Sequence, residues 1–288
     1  MSRTVRRLPR ACAELSAQVA AVACACIHLA PAAADGAPPT VASINLCADQ
    51  HVLALADPAQ ILSVSWLAAD PHESLFATEA QRYTLNYGSA EELLALDADV
   101  VIAGTYTSPF SRALLQRLGQ RVIALAPEDS VADIEHNVRL VAAAIGQTER
   151  GEKLVATLRA DLELIAAQQP ARKLATVVVR PGGFTVGAGS LADELIALAG
   201  LRNVAAEQGL DRWGSLSMET LLRSAPELIV LTGYRSAQPS LANTVLEHPA
   251  LRRLGVVRRT VTVPAALWSC GLPRSIESAA LLQRAASE

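Results

Sequence analysis

Short apolar runs alternate with amphipathic stretches along most of the chain. Residues 41–46 read as a short strand running into a loop, and a helix follows from about Asp49 to Ala56. Residues 60–66 alternate and are rich in Ile and Val, which predicts a second strand. A polar loop with Asp70-Pro71 leads to a short helix at Glu91 and a strand over 100–103. Ser108-Pro109 then opens a helix that stops at Gly119, before a strand over 121–125. Strands that alternate with helices in this way form a parallel sheet with short crossovers. An amphipathic helix over 130–145 ends at Gly146. From Thr148 to about Gln168 the chain has no breaker after Gly151, and Leu154, Leu158, Leu162 and Ile165 recur near the helical period. A helix of that length reaches about 30 Å, enough to run along the back of two lobes. The alternation then resumes with strands over 175–179, 228–231 and 260–263. Helices over 190–199 and 240–247 lie between them, and Pro273 opens a last helix.

The two halves repeat one plan. Gly88-Ser89-Ala90-Glu91-Glu92-Leu93-Leu94 leads through a turn to the apolar run at Val100 and then Gly104. Ser215-Leu216-Ser217-Met218-Glu219-Thr220-Leu221-Leu222 leads to the apolar run at Leu228 and then Gly233. Each half has a polar cap, a short helix with a glutamate in its first turn, a buried strand and a glycine. Similar lobes imply a cleft between them, and equivalent acidic spots imply a surface that docks on paired basic sites.

Composition narrows the class. With 288 residues, 51% of them hydrophobic and 18% charged, the chain is long enough for two globular domains. A net charge of −3 gives no electrostatic case for nucleic acid. Arg3, Arg6, Arg7 and Arg10 precede an apolar stretch over 17–30 and then Ala32-Ala33-Ala34, the three parts of an export signal, with cleavage expected after Ala34. A lipoprotein site at Cys24 is a second reading of the same leader. Of five cysteines, Cys12, Cys24 and Cys26 fall in that leader, so the exported chain keeps Cys47 and Cys270. No G-x-S-x-G, H-E-x-x-H or paired C-x-x-C occurs, and no catalytic constellation is visible.

From about Val41 to the end, in the order of its segments and in the stretch Asp211-Arg212-Trp213-Gly214-Ser215-Leu216-Ser217-Met218-Glu219, the chain resembles the helical-backbone class of periplasmic substrate-binding proteins of ABC importers. These serve cobalamin, ferric siderophores and haem, and the chain is most similar to the vitamin B12-binding branch. The resemblance implies an α/β fold of two Rossmann-like lobes with parallel sheets joined by one long rigid helix. The expected divisions are a signal peptide over 1–34, an N-terminal lobe over 35–146, the helix over 147–169 and a C-terminal lobe over 170–288. It also implies small closure on ligand and a ligand in a shallow cleft. Glu91 and Glu219 match the glutamates that pair with arginines on a permease dimer. The chain would have no cofactor and would touch the membrane only through the permease.

Ligands in such sheets lie beyond the carboxyl ends of the strands. Cys47, Trp66, Tyr106, Arg180, Trp213, Tyr234, Arg235 and Trp268 are placed there by the strand reading. The indoles offer flat apolar faces to a planar macrocycle, and the arginines suit a carboxylate or phosphate. Cys47 and Cys270 depart from the B12-binding pattern. A disulfide across the cleft, a pair of free thiols that bind soft metal, and two unrelated small residues all stay open. Cargo reads first as cobalamin and second as a ferric siderophore or haem. An exported metal-handling or redox protein using Cys47 and Cys270 is the reading of another class.

Overall fold

The computed structural model describes residues 37–232, 249 and 259–287. The leader, Tyr234, Arg235 and the expected helix over 240–247 lie outside the described residues. Residues from Pro38 onward cluster as one compact unit.

The first sheet contains β1 (Val41–Ser43), β2 (Ile61–Ser65), β3 (Thr84–Asn86), β4 (Val100–Gly104) and β5 (Val122–Leu125), in the order β3-β2-β1-β4-β5. Every pairing in it is parallel, with Val41 opposite Ile61 on one side and Val100 on the other. The central strands β1 and β4 are buried along their whole length, as parallel strands covered on both faces must be. Helices α1 (Leu46–Leu55), α2 (Ala77–Ala80), α3 (Ala90–Leu96), α4 (Pro109–Arg117) and α5 (Val131–Ala144) connect and cover this sheet. α1 begins three residues earlier than the sequence suggests. The Asn45 side chain accepts hydrogen bonds from the Cys47 and Ala48 amides and starts the helix there, which puts Cys47 in its first turn.

After α6 (Thr148–Ala166) the second sheet contains β6 (Ala175–Val179), β8 (Arg202–Asn203), β10 (Leu228–Leu231) and β11 (Arg259–Thr262), in the order β11-β10-β6-β8, again parallel. A two-stranded antiparallel ribbon of β7 (Phe184–Val186) and β9 (Trp213–Ser215) stands beside it. Trp213 is therefore a strand residue paired with Val186. Helices α7 (Leu191–Leu198), α8 (Val204–Glu207), α9 (Met218–Arg223) and α10 (Glu277–Ser287) complete this half. Pro273 opens a 3-10 turn, and regular α-helix begins only at Glu277.

Helix α6 buries Gly151, Val155, Leu158 and Ile165 on one face. At its start, a Cβ on Gly151 would lie 2.5 Å from the Ala142 Cβ, so only glycine lets α6 pack this closely on α5. Near its end the Ile165 carbonyl accepts a hydrogen bond of 2.7 Å from Gln283 of α10. One apolar cluster runs from Val41, Leu55 and Val100 through Val155 and Leu158 to Leu195, Val230 and Leu282. Two smaller clusters lie on the other faces of the sheets, one under α3 and α4 and one under α8 and α9.

Candidate functional site

The carboxyl ends of both sheets face one cleft, about 230 Å³ in volume. The first half supplies Asn45 and Cys47 after β1, Tyr106 after β4, and Glu128 and Asp129 after β5. The second half supplies Arg180 after β6, Trp213 from the ribbon, and Trp268 to Gly271 after β11. Tyr106 is 88% exposed and Trp213 58% exposed, so both rings are free to meet a bound molecule. Trp268 is half-buried against the main apolar cluster, and its indole nitrogen has no hydrogen-bond partner.

The Arg180 guanidinium lies 5.7 Å from the centre of the Trp213 ring, within cation–π range. It forms no ion pair among the described residues. Burial pulls its pKa below the usual arginine value and Glu73 opposes that, yet a guanidinium stays charged at neutral pH. The cleft thus presents a desolvated cation against an aromatic face.

Cys47 and Cys270 are joined as a disulfide, so neither sulfur is a free thiol in this structure. Cys47 is half-buried, whereas Cys270 is 2% exposed. Among the described residues no group of three or more His, Cys, Asp or Glu side chains is placed to hold a metal ion.

Beneath the disulfide, α1 buries three polar side chains in succession, Asp49, Gln50 and His51. His51 Nε2 is 3.1 Å from Glu128 Oε1, and Asn137 donates to the same oxygen. Asp49 accepts from the Ser43 hydroxyl and from both the amide and hydroxyl of Ser65. Burial raises its pKa to about 6 even though those hydrogen bonds pull it down. The sequence places Asp49 after the first strand at the cleft and His51 as a partly buried helix residue; the structure buries both completely, together with Gln50, which the sequence does not single out.

Trp66 does not line the cleft. It opens a 3-10 turn after β2, is 48% exposed, and stacks on Tyr87 with ring centres 6.3 Å apart. Tyr87 is exposed just after β3. Its strand is three residues long and carries no alternation strong enough to find.

The profile of the family described as "Periplasmic binding protein" matches residues 41–260, most of the chain and both sheets. The chain belongs to the periplasmic binding protein family. Members of this family are solute-binding proteins and not enzymes, and they carry a transported ligand in place of a cofactor. Solved structures share the fold at low identity. "Periplasmic heme-binding protein RhuT from Roseiflexus sp. RS-1" is 22% identical, with a TM-score of 0.73 over 86% of this chain and 98% of that one. "Periplasmic Heme binding protein HutB of Vibrio cholerae" is 18% identical, with a TM-score of 0.72 over 85% and 98%. "Periplasmic Vitamin B12 binding protein BtuF of Vibrio cholerae" is 18% identical, with a TM-score of 0.63 over 87% and 97%. No curated protein matches the sequence significantly.

In this periplasmic binding protein Glu91 and Glu219 occupy the same backbone position, the second residue of α3 and of α9, each after a serine N-cap. Both side chains face solvent. Among the described residues no helix is long and apolar enough to cross a membrane.

Proposed function

We propose that this periplasmic binding protein captures a metal-bearing macrocycle, a corrinoid or a haem, between its two lobes and delivers it to an ABC importer. The supporting observation is the cleft's chemistry: Tyr106, Trp213 and Trp268 offer flat apolar faces, and Arg180 stands over one of them as a cation for an acidic substituent. The relatives named for haem and for vitamin B12 share this fold, and a corrin and a porphyrin fit such walls alike. Cobalamin is the first candidate on the Trp213 to Glu219 segment, with haem and ferric siderophores beside it. Glu91 and Glu219 are the proposed contacts to the two permease subunits. The lobes are assigned to 35–146 and 170–288, with 147–169 as the bar between them.

The test is calorimetric titration of the chain from Asp35 onward with cyanocobalamin, haemin and a ferric siderophore panel. One-to-one binding of one macrocycle is expected. Replacing Arg180 and Trp213 together by alanine should weaken it at least about tenfold, the scale of losing one buried anchor. No binding to any macrocycle, or binding indifferent to the double substitution, overturns the reading.

A further inference from the structure

The segment Trp268–Gly271 belongs to the second half by sequence but is fastened to the first. Cys270 is bonded to Cys47 in the first turn of α1, across a sequence separation of 223 residues. Its neighbour Ser269 donates a hydrogen bond of 2.9 Å to Glu73, and the Ser269 carbonyl lies 3.7 Å from Cys47 Sγ. Gly271 is pressed so closely on Glu128 that an added Cβ would lie 2.1 Å from the Glu128 Cβ. On its own side, the Cys270 carbonyl accepts a hydrogen bond of 3.0 Å from Ser275. Trp268, Ser269, Cys270 and Gly271 all line the cleft, as does Cys47. The disulfide is therefore part of the cleft wall as well as a crosslink behind it.

We propose that this disulfide is a redox strap whose state is coupled to cargo. Oxidised, it holds the Trp268 wall against α1 and keeps the cleft formed before ligand arrives, which lowers the ordering cost of binding. Access to it is one-sided. Cys270 is buried, and Cys47, the half-buried partner, is reached from the cleft. An external dithiol thiolate attacks Cys47 Sγ, the bond between the two sulfurs breaks, and Cys270 leaves as a thiolate that takes up a proton. The second thiol of the reductant then displaces Cys47 from the mixed disulfide. Two electrons and two protons pass to the protein, and the dithiol becomes a disulfide. Cargo in the cleft covers the attacked sulfur. By linkage, whatever factor of affinity the strap confers, cargo must return as resistance to reduction.

This inference rests on the cargo reading, and the experiment separates the two. The oxidised protein is equilibrated with mixtures of reduced and oxidised dithiothreitol, with and without saturating cyanocobalamin or haemin, whichever binds. Dissociation constants are measured for the oxidised and the reduced protein. The expected result is at least a tenfold weaker Kd after reduction and an equal shift in the dithiol ratio at half-reduction. A Kd and a reduction midpoint that both stay within twofold overturn the strap. If neither probe binds the oxidised protein, the cargo reading fails instead. The strap is then judged by hydrogen exchange of residues 265–272, where reduction should speed exchange at least tenfold and unchanged exchange overturns it. The Cys47→Ser/Cys270→Ser variant repeats these measurements without reductant.

Discussion

Helices α3 and α9 are the same device built twice, and they differ in charge. Each starts from a serine whose hydroxyl accepts the amide three residues on, each carries its exposed glutamate at the second position, and each buries a leucine on the outer face of its sheet. At α9, Glu219 pairs with Arg223 at 2.6 Å one turn later, with both side chains largely exposed. At α3, Glu91 has no such partner among the described residues, and Glu92 adds a second acid that accepts the amides of Tyr87 and Ser89. Those amides hold the Glu92 carboxyl below its usual pKa. Backbone geometry places both glutamates alike, while neighbouring residues leave α3 acidic and α9 with its glutamate offset by an arginine. The interiors differ in the same direction. The first half buries Asp49 and His51, and among the described residues the second half buries no carboxylate or imidazole.

The largest expected effect tests the interiors. Asp49 is raised from 3.8 to about 6, so the folded state holds a proton that the unfolded chain releases earlier. The Asp49 contribution to stability is then full below about pH 4 and falls as pH rises toward 6, by about 3 kcal/mol at 1.36 kcal/mol per unit. Urea unfolding of wild type and Asp49→Asn between pH 4 and 7 should show that fall in their difference. Parallel curves would remove the contrast between the halves. The next effect concerns docking. Glu91→Lys should weaken binding to the importer about tenfold or more, and Glu219→Lys only a few-fold, because Arg223 already offsets Glu219. Cargo affinity of the double variant should be unchanged. Equal losses would mean the partner reads position alone. The smallest effect is on the caps. Ser89→Ala and Ser217→Ala should each cost about 1 kcal/mol in chemical denaturation. Glu92→Ala should lower stability further in α3, while Thr220→Ala, at the equivalent position of α9, should barely register.

Much of this was legible in the sequence. The helix at 148–166, the serine caps and the glutamate positions follow from period and local hydrogen bonding, which a single stretch carries within itself. Leu154 and Leu162 proved less buried than Leu158 and Ile165, and Val155 joined the face. What escaped depends on distant partners. Trp213 is positioned by pairing of β9 with a three-residue strand almost thirty positions earlier, and no local signal announces that. Asp49 is buried because α1 lays it against Ser43 and Ser65 of the sheet, and the His51 side chain because it meets the Glu128 carboxylate; polarity alone would place both acids at the surface. Tyr87 meets Trp66 only because β3 adds to β2 at the sheet edge.

The apolar spine along α6 has a consequence for signalling. A bar packed into both halves would leave little room for swinging, so on the proposed function an empty and a loaded molecule would present nearly the same outline. The cleft, at about 230 Å³, is smaller than the roughly 300–1,000 Å³ of sites that swallow a drug-sized guest. A macrocycle seated there, as proposed, would keep one rim in the open. On that proposal an importer that must tell full from empty would be offered little news by the carrier's shape, and the passenger itself would become the message.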